Sequence, residues 1–244
     1  MGYQTRGLNL KSFHSLSIFL WFIIKLMNPY IVQLNDIIPH LFSGESSGHD
    51  INHLVRVLNI ATTINRLEGG DADVVSVAAY LHDIHRLVEK QTKTYCSPKD
   101  SLPKIKEILE QISFPENKTD MVLHCIEFHE EYQFSQAGVT VEDIETLILQ
   151  DADNLDAIGA IGVGRTFAYG GSKGLPMWIV DRSLNRETYD ESQPDPDTIS
   201  HFYSKLLKLK SNMNTVTGKE MAQKRHEFME LFLDHFFKEW KGEL

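Results

Sequence analysis

Residues 74–84 read VVSVAAYLHDI, and this stretch decides the fold. It is apolar at nearly every position up to Leu81, which predicts a helix buried on all sides and lying at the centre of the molecule. His82 and Asp83 follow the apolar run without a turn signal. A buried carboxylate costs several kcal/mol unless it is paired or bound to a metal. The stretch therefore predicts both a central helix and a polar site at its end.

Apolar residues at helical spacing dominate the rest of the chain, and the alternation typical of β-strands is missing. We expect an all-α protein, a compact bundle of roughly eight to ten helices. Asp50 and Asp71 are expected to begin two of them, and Gly69 to end the first of these two. Two polar or irregular stretches predict loops, the second long enough for a lid. The helices are predicted over residues 31–41, 50–68, 74–84, 105–112, 118–128, 141–164, 201–213 and 219–240, and the loops over 133–140 and 169–197.

The composition is that of a globular protein: 244 residues, 42% hydrophobic and 24% charged. The formal net charge of −10 predicts repulsion from nucleic-acid backbones and anionic lipids, so a duplex or a membrane is not the expected partner. A small anionic substrate would need a metal to supply local positive charge. The two cysteines, Cys96 and Cys125, form no disulfide framework, which favours a reducing, cytoplasmic location.

The N-terminal stretch is apolar, with LSIFLWFIIKLM at residues 16–27. It is shorter than the ~20 apolar residues that span a bilayer, and Lys25 interrupts it. Basic residues precede the run, as in a signal peptide, but no small-residue cleavage site follows. We interpret residues 1–27 as an upstream extension, a misassigned start or a loosely attached apolar helix. Membrane attachment and export are the alternatives.

Histidines and acids concentrate in four places. These are GHDINH at 48–53, LHDIHR at 81–86, the pair His124 and His129, and QDADNLD at 150–156. Two imidazoles and two carboxylates from separate helices can surround one divalent ion, and such a nitrogen and oxygen set suits Mn²⁺, Fe²⁺, Co²⁺, Zn²⁺ or, less well, Mg²⁺. The alternative is a satisfied polar network in the core. The predicted ligands are His53, His82, Asp83 and Asp151.

This ordered set, with its flanking residues, resembles the H…HD…D signature of the HD-domain superfamily of metal-dependent phosphohydrolases. The flanks that carry the resemblance are HLVRV at 53–57, AAYLHDI at 78–84, DADNLDAIG at 151–159 and HFYSKLL at 201–207. The last two resemble a small bacterial branch, some of whose members are similar to nucleoside-triphosphate pyrophosphatases. The resemblance covers residues 28–241 and so implies a single domain. It also implies an all-helical fold and hydrolysis of phosphate esters or anhydrides.

The resemblance and the charges suggest roles for individual residues. His82 and Asp83 are the expected catalytic residues, with Asp83 also holding the attacking water. Arg56 is expected to pair with Asp153 or Asp156, which share a helix face at a spacing of three. Asp50 is expected either to cap its helix or to support the ligands. Asp153 and Asp156, with Arg56, are expected to support the ligands, and a structural salt-bridge network is the alternative for these two acids. Contacts with a substrate phosphate are predicted, against a surface role for each, for His49, Arg86, His129 and Lys205.

The predicted function is hydrolysis of a nucleotide phosphoanhydride or phosphoester by a metal-activated water. One ion is expected, since the adjacent histidine pair of binuclear relatives is absent from this sequence. One alternative is a phosphodiesterase for cyclic or signalling nucleotides. Another is a metal- or nucleotide-sensing module without turnover. A small phosphorylated molecule is the expected partner, and the sequence is compatible with a monomer or a homo-oligomer.

Overall fold

A computed structural model describes residues 28–42, 49–130, 141–180 and 195–244. Within these ranges all regular structure is helical, which confirms the predicted all-α bundle. A 3₁₀ helix over Leu206–Asn212 separates the last two α-helices. The α-helices are α1 Pro29–Leu34, α2 Ile38–Leu41, α3 Ile51–Glu68, α4 Ala72–Leu81, α5 Ile84–Thr92, α6 Pro98–Gln111, α7 Glu116–Phe128, α8 Ile144–Asp156, α9 Gly159–Ser172, α10 Thr198–Ser204 and α11 Val216–Trp240.

Helix α4 lies at the centre of the bundle, as its sequence predicts. Every residue from Val74 to Leu81 is buried, and the helix packs against α1, α3, α7 and α8. Asp71 caps its first turn by accepting hydrogen bonds from the backbone of Asp73 and Val74. The helix stops at Leu81, earlier than expected. His82 and Asp83 form a turn before α5, so their side chains emerge at a break between two helices.

Helix α3 packs along both α4 and α8 and connects the two halves of the site. Asp50 caps it, as predicted, by accepting a hydrogen bond from the backbone N–H of His53 at 2.9 Å. Gly69 ends it in the left-handed conformation, at φ 89°. Both ends of this helix are therefore fixed by local chemistry that the sequence shows.

The single helix predicted over 141–164 is wrong, because a break at Ala157 and Ile158 divides it into α8 and α9. Helix α9 then continues through residues 169–172, the first part of the predicted long loop. Residues 173–180 are non-helical, and residues 181–194 lie outside the described ranges. The predictions for 1–27 and 133–140 also fall outside them. None of the described helices combines the length and apolarity that crossing a bilayer requires.

Two glycines of α9, the helix that follows the break, should respond differently to substitution by alanine. Gly159 has φ 77°, and a Cβ there would lie 3.0 Å from the Arg225 side chain. We expect Gly159→Ala to lower the free energy of unfolding by about 1–2 kcal/mol, since other residues rarely adopt this conformation. Gly164→Ala is the matched control, because a Cβ at Gly164 meets no atom within 4 Å. It should raise stability by about 0.5–1 kcal/mol in chemical denaturation. Equal effects of the two changes would contradict this account.

Candidate metal centre

Four donor atoms from three parts of the chain converge in the interior. His53 comes from α3, His82 and Asp83 from the turn after α4, and Asp153 from α8. The Nε2 atom of His53 lies 3.2 Å from His82 Nε2, 3.3 Å from Asp83 Oδ2 and 3.4 Å from Asp153 Oδ1. His82 Nε2 lies 3.6 Å from Asp83 Oδ2 and 3.7 Å from Asp153 Oδ1.

These distances fit a shared cation. Ligands that bind a divalent transition ion at about 2.0–2.2 Å lie about 3.0–3.6 Å apart in tetrahedral or octahedral geometry. The imidazole tautomers fit as well. His82 Nδ1 lies 2.9 Å from the carbonyl oxygen of Ala79, and His53 Nδ1 lies 2.8 Å from Asp156 Oδ2. Donation from each Nδ1–H leaves a lone pair on Nε2, the arrangement of histidine metal ligands.

Asp156 binds the Nδ1 side of the His53 ring, away from the Nε2 atom that faces the cluster. Its carboxylate accepts hydrogen bonds from His53 Nδ1, from Arg56 Nε at 2.7 Å and Nη2 at 2.9 Å, and from Arg165 Nη1 at 2.9 Å. The bidentate Arg56 bond realises one of the two pairings expected from the sequence. A carboxylate with these donors keeps a fixed orientation, and it fixes the ring of His53 in turn.

The fourth predicted ligand, Asp151, lies elsewhere, and the structure corrects this position to Asp153. Residues two apart on an α-helix point about 200° apart, so these two carboxylates leave opposite faces of α8. Asp151 accepts hydrogen bonds from the backbone N–H groups of Asn214 and Thr215, both at 2.8 Å. It also accepts from Asn214 Nδ2 at 3.1 Å and from Thr215 Oγ1 at 2.7 Å. Its oxygens anchor the start of α11, and none of the groups of described His, Asp and Glu residues able to hold an ion includes it.

The residues predicted to contact phosphate divide into two sets. His49, one-third exposed, places Nδ1 2.8 Å from Asp83 Oδ2, and buried His129 groups with His82 and Asp83. Arg86 lies at the open side and donates to Glu130. These three lie beside the cluster, and Lys205 lies at the C-terminal end of α10. Contact of any of the four with a phosphate stays a prediction. So does a supporting role for Asp50 beyond its cap.

Sequence reasoning missed three residues near the cluster. Glu130 follows α7, and buried His85 is the second residue of α5, with its Nε2 3.5 Å from Glu130 Oε1. Arg165, on α9, is the second guanidinium bonded to Asp156. Among these, the short spacing of His85 from His82 was the one signal available in the sequence. Glu130 and Arg165 reach the site only through the packing of α7 and α9.

The electrostatics of the cluster favour a positive charge at its centre. Burial lowers the pKa of His53, but its bonds to Asp153, Asp156 and Asp83 outweigh burial and raise that pKa to about 10. Burial lowers the pKa of His82 to about 4, so this imidazole stays neutral. The carboxylates therefore carry more negative charge than the described side chains balance, and a proton or a metal cation compensates it.

Comparison with known proteins gives the family of the chain. The HD domain family model matches residues 50–158. The uncharacterized protein YpgQ of Bacillus subtilis is 32% identical over 216 residues, which cover 86% of this chain and 93% of YpgQ. The fold and the site together define a class of protein. It is a helical bundle whose imidazoles and carboxylates meet at a His-Asp turn. The chain belongs to the HD-domain superfamily.

Two solved structures extend the likeness over most of the chain. One is an HD-superfamily hydrolase from Bacillus thuringiensis, 36% identical, with a TM-score of 0.62, covering 84% of this chain and 94% of that one. The other is Bacillus subtilis YpgQ in complex with ADP, 32% identical, with a TM-score of 0.60, covering 84% of this chain and 96% of YpgQ.

The two faces of α8 predict different effects for the same substitution. Asp153→Asn removes a charged donor from the cluster and should lower the Mn²⁺ affinity of the folded protein by more than about 100-fold. Asp151→Asn places an amide against the donors of Asn214 and Thr215 and should cost about 2–4 kcal/mol of stability. Metal titration and denaturant unfolding of both variants test this. An Asp151→Asn protein of full stability that had lost its metal would restore Asp151 as the ligand.

Proposed function

We propose that this protein is a metal-dependent phosphohydrolase that cleaves a phosphoanhydride or phosphoester of a nucleotide. The observation that carries the proposal is the convergence of His53, His82, Asp83 and Asp153 at distances suited to one divalent ion. Membership of the HD superfamily supports the reaction class, and the ADP complex of YpgQ supports a nucleotide as the substrate.

The four side chains would hold the ion, and a bound divalent ion supplies a water of lowered pKa and a Lewis acid for a phosphate oxygen. The chain's own residues supply the orientation. Asp156 fixes the ring of His53, and the Ala79 carbonyl fixes that of His82. Asp83 also receives the hydrogen bond of His49. These contacts keep the donors in place before a substrate arrives, which reduces the reorganisation that the reaction requires.

The side of the cluster that faces solvent is suited to an anion. Asp153 is 20% exposed, and the neighbouring His49 and Arg86 side chains are 34% and 28% exposed, whereas His53 and His82 are fully buried. Among the described residues of the cluster, this side is therefore the one that a phosphate can reach. His49 and Arg86 can each donate a hydrogen bond there. In a chain with net charge −10, such local donors and the ion are needed to attract a polyanion.

The test is hydrolysis of a panel of nucleotides and phosphoesters with Mn²⁺, Mg²⁺, Co²⁺ or Zn²⁺, with the products resolved. We expect turnover that chelation abolishes and the metal restores. His82→Gln and Asp83→Asn should lower kcat/KM by more than about 100-fold, because even residues that only support metal ligands contribute about 10–100-fold. Pyrophosphate from a triphosphate would indicate a pyrophosphatase, and ring opening of a cyclic nucleotide would indicate a phosphodiesterase.

His124→Gln is the matched control for His82→Gln. His124 is 46% exposed and bonds Asp143, outside the cluster. This variant should keep wild-type turnover. Nucleotide binding by the metal-loaded protein without hydrolysis of any member of the panel would contradict the proposed activity and favour a sensor.

A further inference from the structure

Helix α9 has an uncharged outer side. Its only charged residue, Arg165, bonds Asp156, and Ile161 and Tyr169 are 47% and 48% exposed. Helix α6 has the same length, 14 residues, and six of its eight exposed residues are charged. Charged and polar side chains are the ordinary covering of a helix face in water, so the outer side of α9 is unusual. The exposed residues of α9 are Ala160, Ile161, Gly164, Ala168, Tyr169, Gly171 and Ser172.

Helix α11 carries an exposed strip with apolar residues at its middle. Phe228 and Leu231 are 43% and 57% exposed. Lys224 precedes them, and His235 and Glu239 follow them, all three exposed. The successive spacings are four, three, four and four residues, which keeps these side chains along one side of a helix with 3.6 residues per turn. The strip therefore begins with a base, is apolar at its middle and ends with an acid.

The outer side of α9 and the strip on α11 face the same direction. The two helices run parallel, since Gly159 lies beside Arg225 and the Phe167 ring lies 5.9 Å from Phe232 and 6.2 Å from Phe236. At about 100° per residue, these contacts place both exposed sides on one continuous outer surface, which we call the α9–α11 face. A contiguous exposed apolar surface marks an interaction site.

We propose that the α9–α11 face binds a second copy of this chain, with the two α11 helices antiparallel. The charge pattern of α11 argues for this occupant. A two-fold interface brings the basic half of each helix against the acidic half of the other, so a chain with both halves on one helix complements itself. The basic half holds Lys219, Lys224 and Arg225 against Glu220 alone, and the acidic half holds Glu227, Glu230, Asp234 and Glu239 against Lys238 alone.

The strip is self-complementary in one register. Antiparallel pairing about Leu231 sets Lys224 opposite Glu239 of the second copy and Phe228 opposite its His235. The two Leu231 side chains then meet at the two-fold axis, and each of the other contacts occurs twice. A parallel arrangement would set like charges against each other, which opposes association.

The outer side of α9 supplies the remaining area. Stable interfaces bury about 800 Å² on each partner. The α11 strip is only about 24 Å long on a helix about 10 Å wide, well short of that area. Uncharged residues of α9 extend the surface at no cost in charge desolvation. The interface would also cover the helix whose Arg165 bonds Asp156 beside His53, although the proposal does not depend on the proposed function.

The first experiment is sedimentation velocity of the full-length protein over a range of concentrations, with circular dichroism to confirm folding. We expect the wild type to form a dimer. Leu231→Asp places two carboxylates at the two-fold axis and should sediment as a monomer. Met121→Asp is the matched control, because Met121 is 40% exposed on α7, which packs against α4, α6 and α8. This variant should remain a dimer. A wild type that is monomeric at every concentration, or a dimeric Leu231→Asp protein, would overturn the proposal.

A second experiment tests the antiparallel pairing by reversing charges. Lys224→Glu and Glu239→Lys each set like charges across the interface and should raise the dimer dissociation constant by more than about 10-fold. An equimolar mixture of the two variants should recover the wild-type constant, because the reversed charges then face each other in a mixed dimer. Lys106→Glu reverses an exposed charge on α6 and should leave the constant unchanged. Weakening by both variants without recovery in the mixture, or no weakening at all, would exclude this pairing.

Discussion

The structure depends on the burial of negative charge around one imidazole. Asp83, Asp153 and Asp156 all lie within 3.4 Å of a ring nitrogen of His53, which is fully buried. Such an arrangement is costly unless positive charge and hydrogen bonds compensate it. Arg56 and Arg165 compensate Asp156, at the rear of the ring. The front, where Asp83 and Asp153 face the Nε2 atoms of His53 and His82, is left to a cation.

The packing of the apolar helices determines where this charged cluster forms. Helix α4 is buried along its whole length from Val74, and it ends at a turn whose polar side chains, His82 and Asp83, are buried as well. Adjacent residues of a continuous helix point about 100° apart, and the turn after Leu81 changes the relative direction of His82 and Asp83. The packing of α3 and α8 against α4 brings in the remaining donors.

The sequence predicts most of this arrangement, and it fails where tertiary packing decides. Burial of α4, the cap at Asp50 and the convergence of His53 with His82 and Asp83 follow from periodicity and motif order. The choice between Asp151 and Asp153 does not follow from them. These acids lie about seventy residues after Asp83, and that separation does not show which face of α8 meets the site. A helical wheel favours Asp153, because it shares a face with Asp156, the partner of Arg56. Glu130 and Arg165 carry no motif, so only the folded chain shows their place.

Two faces of helix α8 have different roles, although their acidic residues, Asp151 and Asp153, belong to one sequence motif. Its Asp153 face supplies charge to the site, whereas its Asp151 face fixes the start of α11. A Cβ at Gly218 would lie 2.2 Å from Asp151 Oδ2, so the backbone of α11 approaches this carboxylate more closely than another residue would allow. Thr215 and Gly218 therefore set the position of α8 from the side opposite the candidate metal centre. Since α11 also packs against α9, which carries Arg165, the C-terminal helix supports both the Asp153 carboxylate and the guanidinium behind His53. An acidic residue outside the cluster thus contributes to the geometry of the site through the backbone that it holds.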